Sequence, residues 1–186
     1  MKYDFNINSI VLGPSCSGKT IFISNFIKNY NNLPTIGVDI YKLQLKYKND
    51  FYKLNIWDTG NGLLYRNIMD KFLYLSNIYI IINVNNNYDF IKQIFEIINN
   101  NTKKKVSYIM IVYNKIDNND NFKYDETFIK KINKNQIKIN FFYLNLSQKV
   151  EANKIIDNIK EYTEYLKYNN FDSDDIDQST LCCSIC

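Results

Sequence analysis

Histidine is absent from the 186 residues, arginine occurs once, at Arg66, tryptophan once, at Trp57, and there are only five glycines and two prolines. Without histidine no imidazole can act as a general base, and the commonest zinc ligand is missing. The four cysteines do not compensate. Cys16 stands alone near the start, and Cys182, Cys183 and Cys186 fall within the last five residues, so no framework of disulfides can staple a domain. There is no apolar run near 18 residues and no leader-like start, from which a cytosolic, reducing location is expected. Hydrophobic residues at 46%, aromatics at 16% and charges at 23% exclude disorder throughout and suit one globular domain with appendages. The formal charge is +4, unevenly spread. Asp172, Asp174, Asp175 and Asp177 lie in the last fifteen residues, where no Lys or Arg occurs, so residues 1–170 carry +8. No basic strip interleaved with aromatics marks a nucleic-acid surface, and nucleic acid is not expected as a partner.

Short apolar runs alternate with segments of helical period. Strands are expected at 7–12, 38–47, 51–57, 78–84, 107–113 and 138–145, with a tight turn at Lys48-Asn49-Asp50. Helices are expected at 19–30, 64–74, 88–100, 125–134 and 150–168. The last would present Val150, Ile155, Ile156, Ile159, Tyr162 and Leu166 on one face. The runs at 78–84 and 107–113 are apolar almost without a break, as strands buried on both faces of a parallel sheet require. The order is that of an α/β fold: a doubly wound, mostly parallel six-stranded sheet with helices on both faces. Residues 1–168 form this domain, and 169–186 read as a disordered acidic tail. The Asn-rich patches at 85–87, 99–101 and 118–121 are expected to be loop padding between elements.

Gly13-Pro14-Ser15-Cys16-Ser17-Gly18-Lys19-Thr20 fits G-x-x-x-x-G-K-[ST] between the first strand and the first helix. Such a loop cradles a phosphate chain with its backbone N–H groups, here those of Ser15, Cys16, Ser17 and Gly18, and the helix adds the positive end of its dipole. Lys19 would place its ammonium on the β- and γ-phosphates and Thr20 would offer its hydroxyl to Mg²⁺. Asn114-Lys115-Ile116-Asp117 follows directly on the strand 107–113, where sheets of this kind bind ligands. The Asp117 carboxylate can accept from N1–H and the exocyclic amine of guanine, a donor pair adenine lacks. Asn114 would tie the loop, and the stem of Lys115 would lie over the ring. Ser147-Gln148-Lys149 after the last strand would offer the Gln148 N–H to the guanine O6.

In this order the motifs resemble the Ras-like small GTPases, the Rab branch in particular. Pro34-Thr35-Ile36-Gly37-Val38-Asp39 is similar to the Rab effector loop of switch I, and Tyr52 to Thr59 to the strand leading into switch II. The resemblance implies that Thr35 ligates Mg²⁺ through its hydroxyl and that Asp58 holds a metal-bound water. It implies GTP and GDP as bound nucleotides, with effectors, exchange factors and GTPase-activating proteins as partners of a monomer. The paired Cys182 and Cys183 resemble the geranylgeranylated end of Rab proteins, with Cys183 through Cys186 an alternative C-a-a-X site. Prenyl-transfer machinery, membrane attachment on the cytoplasmic face of intracellular membranes with a cytosolic pool, and a part in vesicle trafficking are implied with it. Since the tail is acidic, two lipids would hold where one would not.

The chain departs from the family at switch II. Where Rab proteins continue W-D-T-A-G-Q-E, it has Trp57-Asp58-Thr59-Gly60-Asn61-Gly62-Leu63. The position of the Gln that orients the attacking water is Gly62, so no catalytic residue is assigned with certainty and slow hydrolysis is expected. Asn61 replaces the Gly whose N–H reaches the γ-phosphate, although a one-residue slip would let Gly60 serve. Thr20 and Thr35 are fifteen positions apart, a shorter switch I than is typical, and Tyr30 is the candidate to stack on the base. A GTP/GDP-holding scaffold without turnover is therefore an alternative to a working switch. A small-substrate P-loop kinase is disfavoured because Arg66 is the only arginine. Cys16 reads as a tolerated loop residue rather than a redox sensor.

Overall fold

The structure is a computed structural model and describes residues 5–27, 35, 37–60, 66–83, 88–100, 108–115 and 125–168. The elements run β1 (Phe5–Leu12), α1 (Lys19–Ser24), β2 (Val38–Tyr47), β3 (Asp50–Thr59), α2 (Arg66–Leu75), β4 (Ile78–Asn83), α3 (Tyr88–Asn100), β5 (Tyr108–Asn114), α4 (Glu126–Ile132), β6 (Lys138–Leu144) and α5 (Lys149–Tyr168). They make the expected doubly wound sheet, in the order β2-β3-β1-β4-β5-β6. Only β2 is antiparallel to its neighbour, paired with β3 from Val38 opposite Thr59 to Tyr47 opposite Asp50. Lys48 takes a φ of 53° in the connecting turn, as a two-residue hairpin loop demands. Strand order reverses at β1, so the crevice for a ligand opens at the carboxyl ends of β1 and its neighbours.

Alternation along the central strands divides the core into two layers. Ile78, Ile80 and Ile82 of β4 pack with Val11, Phe22, Ile155 and Ile159, beneath α1 and α5. Tyr79 and Ile81 face the other way, onto Ile91, Ile94, Phe95 and Ile98 of α3, and Trp57 meets Phe72 of α2 edge-on at 4.9 Å. All six residues of β4 and all seven of β5 are buried, which is why their sequences lack a polar alternation. The Tyr79 hydroxyl, buried in this layer, donates to the Leu73 carbonyl at 2.6 Å. At the pole away from the strands' carboxyl ends, Tyr108 stacks on Tyr162 of α5 at 4.3 Å. Lys48 of the hairpin pairs with Glu164 there, close to the end of the same helix.

Two expectations are corrected. The first helix stops at Ser24, well short of residue 30; residues 28–30, Tyr30 among them, lie outside the described residues. Polar side chains end it. The Asn25 amide donates to the Ile21 carbonyl and the Ser24 hydroxyl does likewise, at 2.9 and 2.8 Å, so side chains compete with backbone N–H groups for the helix's own acceptors. Val150 is not on the inner face of α5 but 76% exposed, and Ala152 takes its place beside Ile155, Ile156, Ile159 and Tyr162. The spacing 152, 155, 156, 159 follows the 3.6-residue turn, and position 150 falls off that stripe. The Leu166 side chain and the acidic tail lie outside the described residues.

Ile80 sits at the middle of the sheet with no exposed surface, whereas Ile40 on the edge strand is 48% exposed. Ile80→Ala is expected to lower the unfolding free energy by about 2–5 kcal/mol, and Ile40→Ala by less than about 0.5 kcal/mol. Urea denaturation of both variants checks the contrast.

Candidate nucleotide site

The loop after β1 depends on two close approaches. A Cβ on Gly13 would come within 3.0 Å of the Ile82 carbonyl oxygen, and one on Gly18 would press equally hard on the Asn114 amide. Gly18 also has a φ of 98°, which side chains rarely adopt. Between them Cys16 holds a φ of 61° and is exposed, and Ser17 is fully buried. The chain thus turns back over its own strand and enters α1 at Lys19.

Lys19 is the central cation of this loop. Only 7% of it is exposed, and its ammonium donates to the carbonyl oxygens of Gly13 and Pro14, both at 2.8 Å. Burial lowers its pKa, while Asp58 and, less strongly, Cys16 pull it back up. A buried ammonium is a poor guest without negative charge near it. The loop therefore carries a built-in preference for an anion. Thr20, half-buried, follows on the first turn of α1.

Asp58 lies at the end of β3 and is completely buried. Its Oδ2 accepts from the Thr35 hydroxyl at 3.1 Å, bringing together two of the three residues expected at the metal. Next to it the Thr59 hydroxyl donates to the Val11 carbonyl at 2.7 Å, fixing the end of β3 to β1. No cluster of three or more Cys, Asp or Glu occurs among the described residues. The donors on hand are thus one carboxylate and two hydroxyls, a hard-oxygen set of the kind Mg²⁺ accepts when it keeps waters and phosphate oxygens as its other ligands.

At the other end of the crevice Asn114 joins three loops. Its amide nitrogen donates to the Ser17 carbonyl and its oxygen accepts from the Leu146 N–H, each at 3.0 Å. Lys115 follows with its N–H on the Leu144 carbonyl at 2.7 Å. The expected Ser147-Gln148-Lys149 segment lies at this edge, in the turn that enters α5 at Lys149. However, the Gln148 N–H proposed for the base donates at 3.0 Å to the Asn145 carbonyl, inside a tight turn. Asp117, Ile36, Asn61, Gly62, Cys182 and Cys183 lie outside the described residues.

Three supporting residues were not anticipated. Asn25 donates to the Leu146 carbonyl at 2.9 Å, so Leu146 is gripped at both backbone ends. Asn145 accepts from the Ser147 N–H and hydroxyl, at 3.1 and 2.6 Å, and its own N–H is taken at 2.9 Å by Glu151. The pattern Asn-x-Ser with Glu a few residues on, just before an amphipathic helix, is a start signature that was available to read. Asn25 carried no such mark, since nothing local tells a helix-ending Asn from an interior one.

A glycine-gated loop holding a buried lysine at the carboxyl end of a parallel strand defines a P-loop nucleotide-binding domain. A family model described as Ras of Complex, Roc, domain of DAPkinase matches residues 9–117, more than half of the chain, and the chain belongs to this Ras-like family. Rab proteins are among its relatives. It is 33% identical over 75 residues to Ras-related protein Rab-11B of Dictyostelium discoideum, covering 39% of this chain and 34% of that protein. Against Ras-related protein YPT3 of Nicotiana plumbaginifolia the identity is 35% over 74 residues, 38% of this chain and 34% of the relative. For Ras-related protein RABA1b of Arabidopsis thaliana it is 36% over 73 residues, with the same coverage. The chain spans about a third of the length of the curated relatives it matches. It is a member of the Ras superfamily with partial similarity to Rab proteins.

Asn114→Ala would leave the Ser17 carbonyl and the Leu146 N–H unpaired in the interior, at about 1–3 kcal/mol for each group. Loss of stability in that range, with weaker nucleotide binding, is expected by thermal unfolding and titration. Glu151 supplies a pH test. Its hydrogen bond with Lys154, then that from the Asn145 N–H, holds its carboxyl below the usual glutamate value. Its contribution to stability is therefore present above about pH 4.3 and is lost as pH falls through the lower folded value. The Asn145 amide resonance should titrate with that depressed midpoint.

Proposed function

We propose that residues 1–168 form a guanine-nucleotide switch that binds GTP and GDP with Mg²⁺ and hydrolyses GTP slowly. The observation that carries this reading is the buried Lys19 ammonium on its own loop carbonyls, with Asn114 lashing that loop to the start of α5. Phosphate oxygens would draw Lys19 off those carbonyls. Thr20, Thr35 and Asp58 are the residues that would hold Mg²⁺, Asp58 through a water, and the ion would neutralise charge on the β- and γ-phosphates. Asp117 selects guanine, and Lys115, Ser147, Gln148 and Lys149 border the base. For the Gln148 N–H to meet the base, the turn at Asn145 must open or share its donor. No arginine is assigned to this site, so an arginine finger would come from an activating partner.

Residues 169–186 act as an acidic tether, prenylated at Cys182 and Cys183 or, by the alternative pattern, at Cys183 alone. Attachment is to the cytoplasmic face of intracellular membranes, where the domain recruits effectors in vesicle trafficking; among the described residues no helix is long and apolar enough to cross a membrane. A second reading is favoured by one specific feature. Asn61 and Gly62 stand where the family has the Gly and Gln of switch II, which suits a scaffold that holds nucleotide without turnover.

Titration with fluorescent GDP and ADP tests the first reading, and equal affinity for the two would sink it. Lys19→Ala should weaken GDP binding by about 10- to 100-fold, as loss of a charge-assisted contact implies. Single-turnover hydrolysis separates switch from scaffold. Joint replacement of Asn61→Gly and Gly62→Gln should raise the rate roughly tenfold or more, and a rate that stays at zero favours the scaffold.

A further inference from the structure

Position 60 is Ala in the Rab pattern and Gly here, and the structure gives that difference a physical content. The β2–β3 ladder ends with Val38 opposite Thr59, yet one more bond follows, from the Gly60 N–H to the Gly37 carbonyl at 2.9 Å. Gly37, with a φ of 79°, then turns the chain so that Thr35 comes down on the end of β3. There its hydroxyl meets Asp58. A Cβ on Gly60 would lie within 3.0 Å of the Thr35 carbonyl oxygen and would crowd the Thr35 carbonyl carbon and the Gly37 nitrogen at 3.3 and 3.4 Å. Those neighbours are backbone atoms, so the clash is relieved only if the segment itself shifts. The same test at Gly37 finds nothing within 4 Å, so its role is the turn rather than the fit.

We infer that Gly60 is a positioning residue that lets switch I dock on the end of β3 through contacts within the chain, so that Thr35, Gly37 and Val38 keep one conformation with either GDP or GTP bound. The inference rests on the proposed nucleotide binding, and it concerns the regulation of that site. In the family logic switch I is ordered by the γ-phosphate and released on its loss. Here a backbone hydrogen bond, a hydroxyl–carboxylate bond and a side-chain-free approach supply order that does not depend on the third phosphate. An alanine would push Thr35 away from Gly60 and leave the γ-phosphate as the main source of docking.

Amide hydrogen exchange on the full chain, read at Gly60 by NMR, tests this with GDP and with a non-hydrolysable GTP analogue. Protection of Gly60 is expected to agree within about threefold between the two states. In Gly60→Ala, the residue-60 amide with GDP should exchange at least about tenfold faster than with the analogue, while the Leu54 and Ile56 amides inside β3 stay protected and show that the fold persists. Wild-type protection that appears only with the analogue overturns the inference and leaves the nucleotide reading standing. An alanine variant whose protection is the same with both nucleotides overturns it as well. Should the variant fail to fold, the wild-type comparison decides alone. If the chain binds neither nucleotide by calorimetry, the functional reading fails and takes the inference with it.

Discussion

The amide of Asn114 holds together what the rest of the site requires. Through one side chain the loop after β1 and the loop before α5 share a donor and an acceptor, each buried, neither able to turn to water instead. Geometry around it leaves little choice. Gly18 must lack a side chain because the amide occupies that space, and Leu146 must present its N–H inward because Asn25 takes its carbonyl from the other side. The phosphate end and the base end of the crevice are thereby set at a fixed separation before any ligand arrives, a form of preorganisation that reduces the ordering cost of binding.

Buried polar groups occur at both ends of the sheet, Asn8 and Asn77 at one and those of the nucleotide site at the other. Lys19, Asp58, Thr59, Ser17 and Asn114 are all buried there, beside strands β4 and β5 that, apart from a terminal Asn in each, consist of isoleucine, valine, tyrosine and methionine. Groups of this kind lower stability unless each finds a partner. At the carboxyl edge they stand where charge and hydrogen bonding have a use.

Much of this architecture is written plainly in the chain. The unbroken apolar runs of β4 and β5 announce a two-sided parallel sheet, and the Gly13 to Thr20 spacing has one ready physical meaning once a strand precedes it and a helix follows. What escaped was information that is not local. Asn25, which ends α1, also reaches the Leu146 carbonyl 121 residues away, a partner that no window of the sequence contains. Val150 was assigned to the inner face because its type suits burial, although the phase of the helix, set by residues further along, turns it outward. The Gln148 N–H was expected to be available because the motif exposes it, and a turn closed by Asn145 engages it instead. In each case the residue type was informative and the three-dimensional partner was not.

Helix α5 runs for 20 residues, about 30 Å at 1.5 Å per residue. It begins in the turn that borders the base and ends where Tyr162 stacks on Tyr108 and Glu164 meets the β2–β3 hairpin. One rigid rod therefore connects the two poles of the domain. A tilt of about 5° at the base end displaces the other end by about 3 Å at this length, so a small adjustment around Asn145 is felt, mechanically magnified, at the hairpin that carries the edge strand.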